Sequence, residues 1–327
     1  MALAVLIFHF DKWLTGTWDA SSLQGRLGVY AVSAFFVLSG LTLTLVYENR
    51  LSWSFKSWAR FFQKRFFRIF PLLWLATAAT LLLDDFPRPL SELFLNFTGL
   101  FGFINPARDI ATGAWSIGCE LVFYAGFPTL LLLAQMLREL FLGSFLLFVS
   151  IGIWAAFAWF SPAMRNQSVW WEAYTQAANH AFFFAGGMAI GVFKSDMEQL
   201  PRKLWPLVLL LSAVAFTFWP TGPEPFYLVS GGNRIVLSTL SLVVVTSFFH
   251  ASIELKGVLH KGLVWLGTVS YSLYLLHPLV FRATKFAFVK IGIRDEYWTL
   301  FIPTLLAALA LSHFSYYFLE KPMMKRA

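Results

Sequence analysis

The apolar and polar positions of the chain divide it into ten hydrophobic stretches, near residues 2–10, 27–47, 69–83, 114–135, 142–160, 177–193, 204–220, 235–251, 263–281 and 298–319. A helix needs about 20 residues to cross a bilayer core about 30 Å thick. The pattern therefore predicts an all-α, polytopic membrane protein of about ten transmembrane helices. The first stretch is too short to cross and starts at Met1 as though its helix began upstream. It lacks the basic flank and small-residue cleavage site of a signal peptide. No internal repeat, low-complexity linker or soluble appendage interrupts the pattern, so 1–327 reads as a single membrane domain. The connecting segments 84–113 and 220–234 carry Pro, Gly and Asp and are long enough to shape a mouth.

An even number of spans places both termini on one side, and the positive-inside rule selects it. With the termini in the cytoplasm, 15 of the 25 Lys and Arg lie on inner segments: Arg138 and clusters at 50–68, 194–203 and 256–261 and near the C-terminus. Acidic residues run the other way. The 282–297 connection, with four basic residues, is the exception on the outer side.

Composition agrees. Hydrophobic residues make up 58% and charged residues only 13%, with 37 Phe and 14 Trp. Soluble domains carry about 25% charged residues, and no single soluble core of this size hides so much apolar surface. The single cysteine, Cys119, excludes a disulfide framework and a cysteine-rich metal site. No spacing of metal ligands and no phosphate-cradling glycine loop is present. The net charge of +8 fits basic cytoplasmic loops rather than nucleic acid, because no basic domain stands outside the apolar stretches.

An ionisable residue inside a membrane span is costly and so marks a candidate site. His9, Glu120 and His277 are such residues. At about 1.5 Å per helical residue, Glu120 lies about 9 Å below the outer edge of its stretch and His277 about 20 Å above the inner edge, so all three fit one layer. For each, the alternative is a polar residue satisfied by a neighbouring helix, and His277 also precedes the helix-bending Pro278. Ser116, Glu120 and Tyr124 share a helix face, as do Ser270, Tyr274 and His277. Two polar stripes on apolar helices predict a polar interior cavity. Arg60, Lys64, Arg65 and Arg68 precede the third stretch at the inner edge, about 20 Å below Glu120. Such a cluster suits a phosphorylated ligand, anionic lipid, or a topology signal. Ser39-Gly40 and Gly187 with Gly191 predict close helix packing.

Six segments, in order, resemble the acyltransferase-3 family of integral membrane acyltransferases. Leu3 to Phe10 resembles the end of its first helix, where an Arg precedes a His with ten residues between. Phe35-Phe36-Val37-Leu38-Ser39-Gly40 matches FFVLSG, and Arg65 to Pro71 matches RxxRIxP. Trp115-Ser116 through Glu120, Phe123-Tyr124 and Pro128 resemble WSLxxE-x-x-FY-x-x-x-P. Leu266-Gly267 through Ser270-Tyr271 to His277 resembles LGxxSYSLYLxH, and Phe318 to Pro322 matches FxEKP.

The resemblance implies a multi-pass protein of the inner (plasma) membrane that moves an acyl group, often acetyl, from cytoplasmic acyl-CoA to a carbohydrate or glycolipid acceptor at or across the membrane. Acyl-CoA is then a co-substrate, and no other cofactor or metal is implied. It makes His9 the catalytic base and Glu120 the residue that orients or charge-stabilises it or binds acceptor hydroxyls. Arg65 and Arg68, with Lys64, would hold the donor phosphates. Independently, acyl transfer to a hydroxyl needs a base of near-neutral pKa and donors for a developing oxyanion. Trp115, Ser116, Tyr271 and Tyr274 are candidates for the donors, and Tyr124, Ser270 and His277 line the predicted cavity. The family Arg would fall three positions before Met1. Leu41 stands in place of Phe, Gly118-Cys119 in place of Ser-Val types, and Ala31 and Ser33 in place of Gly and Asp. The fused hydrolase-like domain of some members is not matched, which implies acceptor binding by the membrane domain alone or by a partner. A transporter of a small or lipid-linked saccharide or organic anion is the alternative, against which the lack of repeated, interrupted halves counts. A non-catalytic assembly or lipid-binding protein gives no reason for His9, Glu120 and the basic cluster to occur together.

Overall fold

The computed structural model describes residues 1–84, 87–160, 167–293 and 296–326. Arg294, one of the basic residues of the 282–297 connection, lies outside the described residues, as does part of the 84–113 segment. Among the described residues the chain is helical throughout, without strands. The helices are α1 (Ala2–Thr15), α2 (Leu23–Tyr47), α3 (Phe55–Leu83), α4 (Leu90–Thr98), α5 (Phe101–Ile104), α6 (Trp115–Met136), α7 (Arg138–Trp154), α8 (Gln167–Thr175) and α9 (Ala181–Val192). They continue as α10 (Lys194–Met197), α11 (Leu204–Phe218), α12 (Phe226–Val229), α13 (Gly231–His250), α14 (Gly257–Thr268), α15 (Ser270–Lys290), α16 (Tyr297–Ser315) and α17 (Lys321–Met324).

Each apolar stretch becomes a helix, but not each becomes a full span. Among the described residues, six helices are long and apolar enough to cross a membrane: α2, α3, α6, α7 with its π-helical continuation, α13, and α16 continued into α17. A seventh is counted if α14 and α15, bent by 69° at Val269, form one span. The stretches at 177–193 and 204–220 yield the shorter α9 and α11, and α1 has 14 residues. Six or seven of the expected ten or so passages thus meet the criterion of length and apolarity, and the others are shorter or broken helices, because apolar length in sequence does not reveal where a helix breaks. In the 177–193 stretch the first residues form a separate 3₁₀ turn at Ala177–Asn179.

Local signals explain several ends. Gly16 closes α1 in the left-handed conformation, φ 74°, with its N–H returned to the Lys12 carbonyl. Ser22 Oγ caps α2 by accepting from the Gly25 N–H at 3.0 Å. The small-residue expectation holds for α2 and α9. A Cβ on Gly187 would sit 1.9 Å from the Val37 carbonyl oxygen, and one on Gly40 would sit 2.0 Å from that of Phe184. Only glycine lets these backbones touch. A large core of buried aromatics joins α2, α3, α6 and α9. A second core joins α1, α15 and α16 through Leu6, Phe10, Leu273, Phe281 and Leu300. The polar residues meet where these two cores adjoin.

Candidate active site

α1 and α15 bring the two membrane-embedded histidines together. His9 Nδ1 lies 2.8 Å from His277 Nε2, and the rings are nearly parallel, 17° apart, with centroids separated by 5.1 Å. Trp13 stacks on both, at 5.1 Å from His9 and 6.0 Å from His277. The other ring nitrogen of His277, Nδ1, is 3.0 Å from the Leu273 carbonyl oxygen. His277 is buried among Phe10, Trp13 and Tyr274.

One turn along α15, Tyr274 donates to the Gly113 carbonyl at 3.0 Å and receives a hydrogen bond from Ser116 Oγ at 2.8 Å. This joins the two predicted polar stripes, that of α6 and that of α15. The single Tyr274 hydroxyl proton is committed, however, and Tyr271 likewise donates to the Ile69 carbonyl at 2.8 Å. Trp115 packs in a cage of Phe36, Trp171, Tyr174 and His180. The Tyr271 and Tyr274 hydroxyls are thus both turned to backbone carbonyls in this arrangement.

Asp109 sets the start of α6. Its carboxylate accepts from the Trp115 N–H at 3.0 Å. Burial pushes its pKa up to about 7, and backbone N–H groups of the cap act in the opposite direction.

Glu120 lies one turn deeper than Ser116. Its carboxylate meets the hydroxyls of Tyr124 and Ser39, which are themselves 3.0 Å apart, and lies in the field of Arg68 and Arg65. The structure therefore brings Glu120 to the arginines and not to His9, whose ring partners are His277 and Trp13. The expected 20 Å separation of Glu120 from Arg65 and Arg68 is overturned. α3 does not begin at Ile69 but runs unbroken from Phe55, so both arginines project from within the helix.

The two arginines differ. Arg68 forms an ion pair with the buried Glu320, which also accepts from Ser272, and its guanidinium lies 5.1 Å over the Tyr271 ring. Arg65 lies 5.9 Å over the Tyr124 ring and keeps its Nε buried without a hydrogen-bond partner among the described residues. Lys64 and the exposed Arg60 stand on the preceding turn of α3. Ser270, the first residue of α15 after the bend, shares in none of these contacts, and Ser272 takes the polar role on that helix.

Sequence reasoning missed Glu320, Ser272 and Ser39 as site residues. All three stood inside the motifs already quoted. Glu320 could have been found as a carboxylate ending an apolar stretch opposite an arginine-rich one.

The family model described as an acyltransferase domain matches residues 1–317. The chain belongs to the acyltransferase-3 family. It is 23% identical to the peptidoglycan O-acetyltransferase OatA of Listeria monocytogenes, over 99% of this chain and 54% of that protein. It is 27% identical to the exopolysaccharide production protein ExoZ of Rhizobium meliloti, over 92% of this chain and 90% of that protein. The chain spans about half the length of the first of the curated relatives it matches. No solved structure matches it.

Proposed function

We propose that the protein is a membrane O-acyltransferase that moves an acetyl-type group from cytoplasmic acyl-CoA to a hydroxyl of a carbohydrate or glycolipid acceptor, with His9 as the base. The reading includes the expected topology of about ten membrane passages with both termini in the cytoplasm of a cell bounded by this membrane. Family membership supports acyl transfer, and the relatives' names, peptidoglycan O-acetyltransferase and exopolysaccharide production protein, support a glycan acceptor.

The observation that carries the reading is the alignment of two chemistries along α15. A histidine pair sits at His277, and six residues away the Arg68 guanidinium rests on Tyr271, which sets the depth of Arg65 one turn before it on α3. Six helical residues span about 9 Å. An extended pantetheine arm reaches across that distance while anionic groups stay at the basic end. Arg65, with Lys64 and Arg60 on the turn before it, faces the donor. Arg68 is already neutralised by Glu320 and fixes the fold of the site. Glu120, with Tyr124 and Ser39, positions Arg65 or accepts from a substrate hydroxyl.

The test is transfer of labelled acetyl from acetyl-CoA by the full-length protein in detergent or liposomes against a panel of glycans. His9→Ala is expected to insert normally and lose at least about a hundredfold in turnover, the scale of a positioned general base. Near-normal turnover by that variant would remove His9 from the chemistry.

A further inference from the structure

The contacts of the histidine pair are directional. The Leu273 oxygen is a carbonyl and can only accept, so His277 Nδ1, 3.0 Å away, carries a proton. The Tyr274 carbonyl also faces this imidazole. Pro278, four residues on from Tyr274, has no N–H to occupy that carbonyl in the helix ladder. The His-Pro dipeptide thus supplies acceptors for one edge of the ring and fixes its tautomer.

With Nδ1 protonated, a neutral His277 presents a lone pair at Nε2. His9 Nδ1 is 2.8 Å from that lone pair and must therefore be the donor. The opposite assignment would set two lone pairs against each other. A cationic His277 would reverse the direction, but its neighbours are Phe10, Trp13 and Tyr274 rather than a carboxylate. An unpaired charge there would go without the compensation that buried ions require.

Resting on the reading of His9 as base, we infer that His277 is the positioning residue that holds His9 as its Nδ1–H tautomer, leaving Nε2 of His9 unprotonated to receive the acceptor's proton. The acceptor oxygen then bonds to the thioester carbonyl carbon as its proton passes to His9 Nε2. The carbon–sulfur bond breaks, and that proton goes on to the leaving thiolate. Throughout, the His9 Nδ1–H stays donated to a neutral His277. The arrangement does with an imidazole what a carboxylate does in a Ser-His-Asp triad. It stabilises the transient imidazolium by a neutral hydrogen bond, with no buried carboxylate to desolvate.

The experiment compares His277→Leu and His277→Gln in the full-length protein, with His9→Ala alongside. Leu removes the acceptor. Gln returns a carbonyl oxygen to the place of Nε2. Leu should lower kcat at least tenfold with KM for donor and acceptor changed less than twofold, and Gln should recover most of the loss. In ¹⁵N NMR of the histidine-labelled protein, the His9 signals, assigned by their disappearance in His9→Ala, should report protonated Nδ1 and unprotonated Nε2. His277→Leu should lose that pattern. Wild-type kcat in His277→Leu beside an inactive His9→Ala overturns the inference and leaves the base reading standing. Full activity of His9→Ala overturns both. Should His277→Leu fail to fold, the wild-type spectrum still decides: an unprotonated His9 Nδ1 overturns the inference.

Discussion

The two ends of the site solve the problem of polarity inside an apolar bundle in opposite ways. At the histidine end, two rings of α1 and α15 share one hydrogen bond, stack with Trp13 and finish on a backbone carbonyl. At the arginine end, permanent charges are set against carboxylates: Arg68 on Glu320, with Glu120 in the field of both Arg65 and Arg68. The neutral end depends on which atom carries a proton, and the charged end on whether each charge keeps its partner. Substitutions at the first should therefore change rate before stability. Those at the second should change stability before rate, except at Arg65, whose guanidinium is not paired off.

The largest effect that would break this contrast is expected at Glu320. Removing one partner of a buried ion pair costs about 3–5 kcal/mol, an upper bound here because Arg68 is partly exposed. Glu320→Ala should sharply reduce the folded, detergent-monodisperse fraction in fluorescence-detected size exclusion. The double variant Glu320→Leu with Arg68→Met should recover much of it. If the double variant were no better than the single one, the pair would not be held as a unit.

Arg65→Lys is expected to be milder and of another kind. The charge is kept and the planar fork is lost. The apparent KM for acyl-CoA should rise several-fold, with thermal stability and acceptor KM nearly unchanged in separate titrations. Equal shifts in both Michaelis constants would move the donor site away from Arg65.

The smallest expected effect sharpens the neutral end. Asp109 caps α6 next to the Tyr274–Ser116 contact, and its pKa lies at about 7 against an ordinary carboxylate value of about 4. A raised carboxyl favours the fold when protonated, so its contribution is complete below about pH 4 and declines until about pH 7. The thermal midpoint of the wild type should fall by a few degrees across that window relative to Asp109→Asn. Parallel curves for the two proteins would mean that Asp109 titrates as an ordinary surface carboxyl.

Most of the helices were legible in the sequence because apolar runs in this chain have little else to do. His9, Glu120 and His277 were legible as ionisable residues in such runs. Their partnerships were not. Depth arithmetic started α3 at Ile69, because the basic residues before it lower the hydropathy while leaving the helix intact from Phe55. That error placed the arginines about 20 Å from Glu120. The pairing of His9 with His277 depends on how α1 packs against α15, which periodicity does not encode. The motif glycines were different. Gly40 and Gly187 identify a close backbone contact because no other residue fits there.

The π-helical turn at Tyr316–Glu320 gives the ion pair a history as well as a geometry. Such a turn holds one residue more than regular α-helix would place there. Forcing these five residues into regular α-helix without removing one would turn Glu320 around the helix and away from Arg68. The contact is therefore written in the winding of the chain and not only as a residue type. A relative that keeps the glutamate and the same number of residues but winds them as regular α-helix would keep the letter and lose the bond.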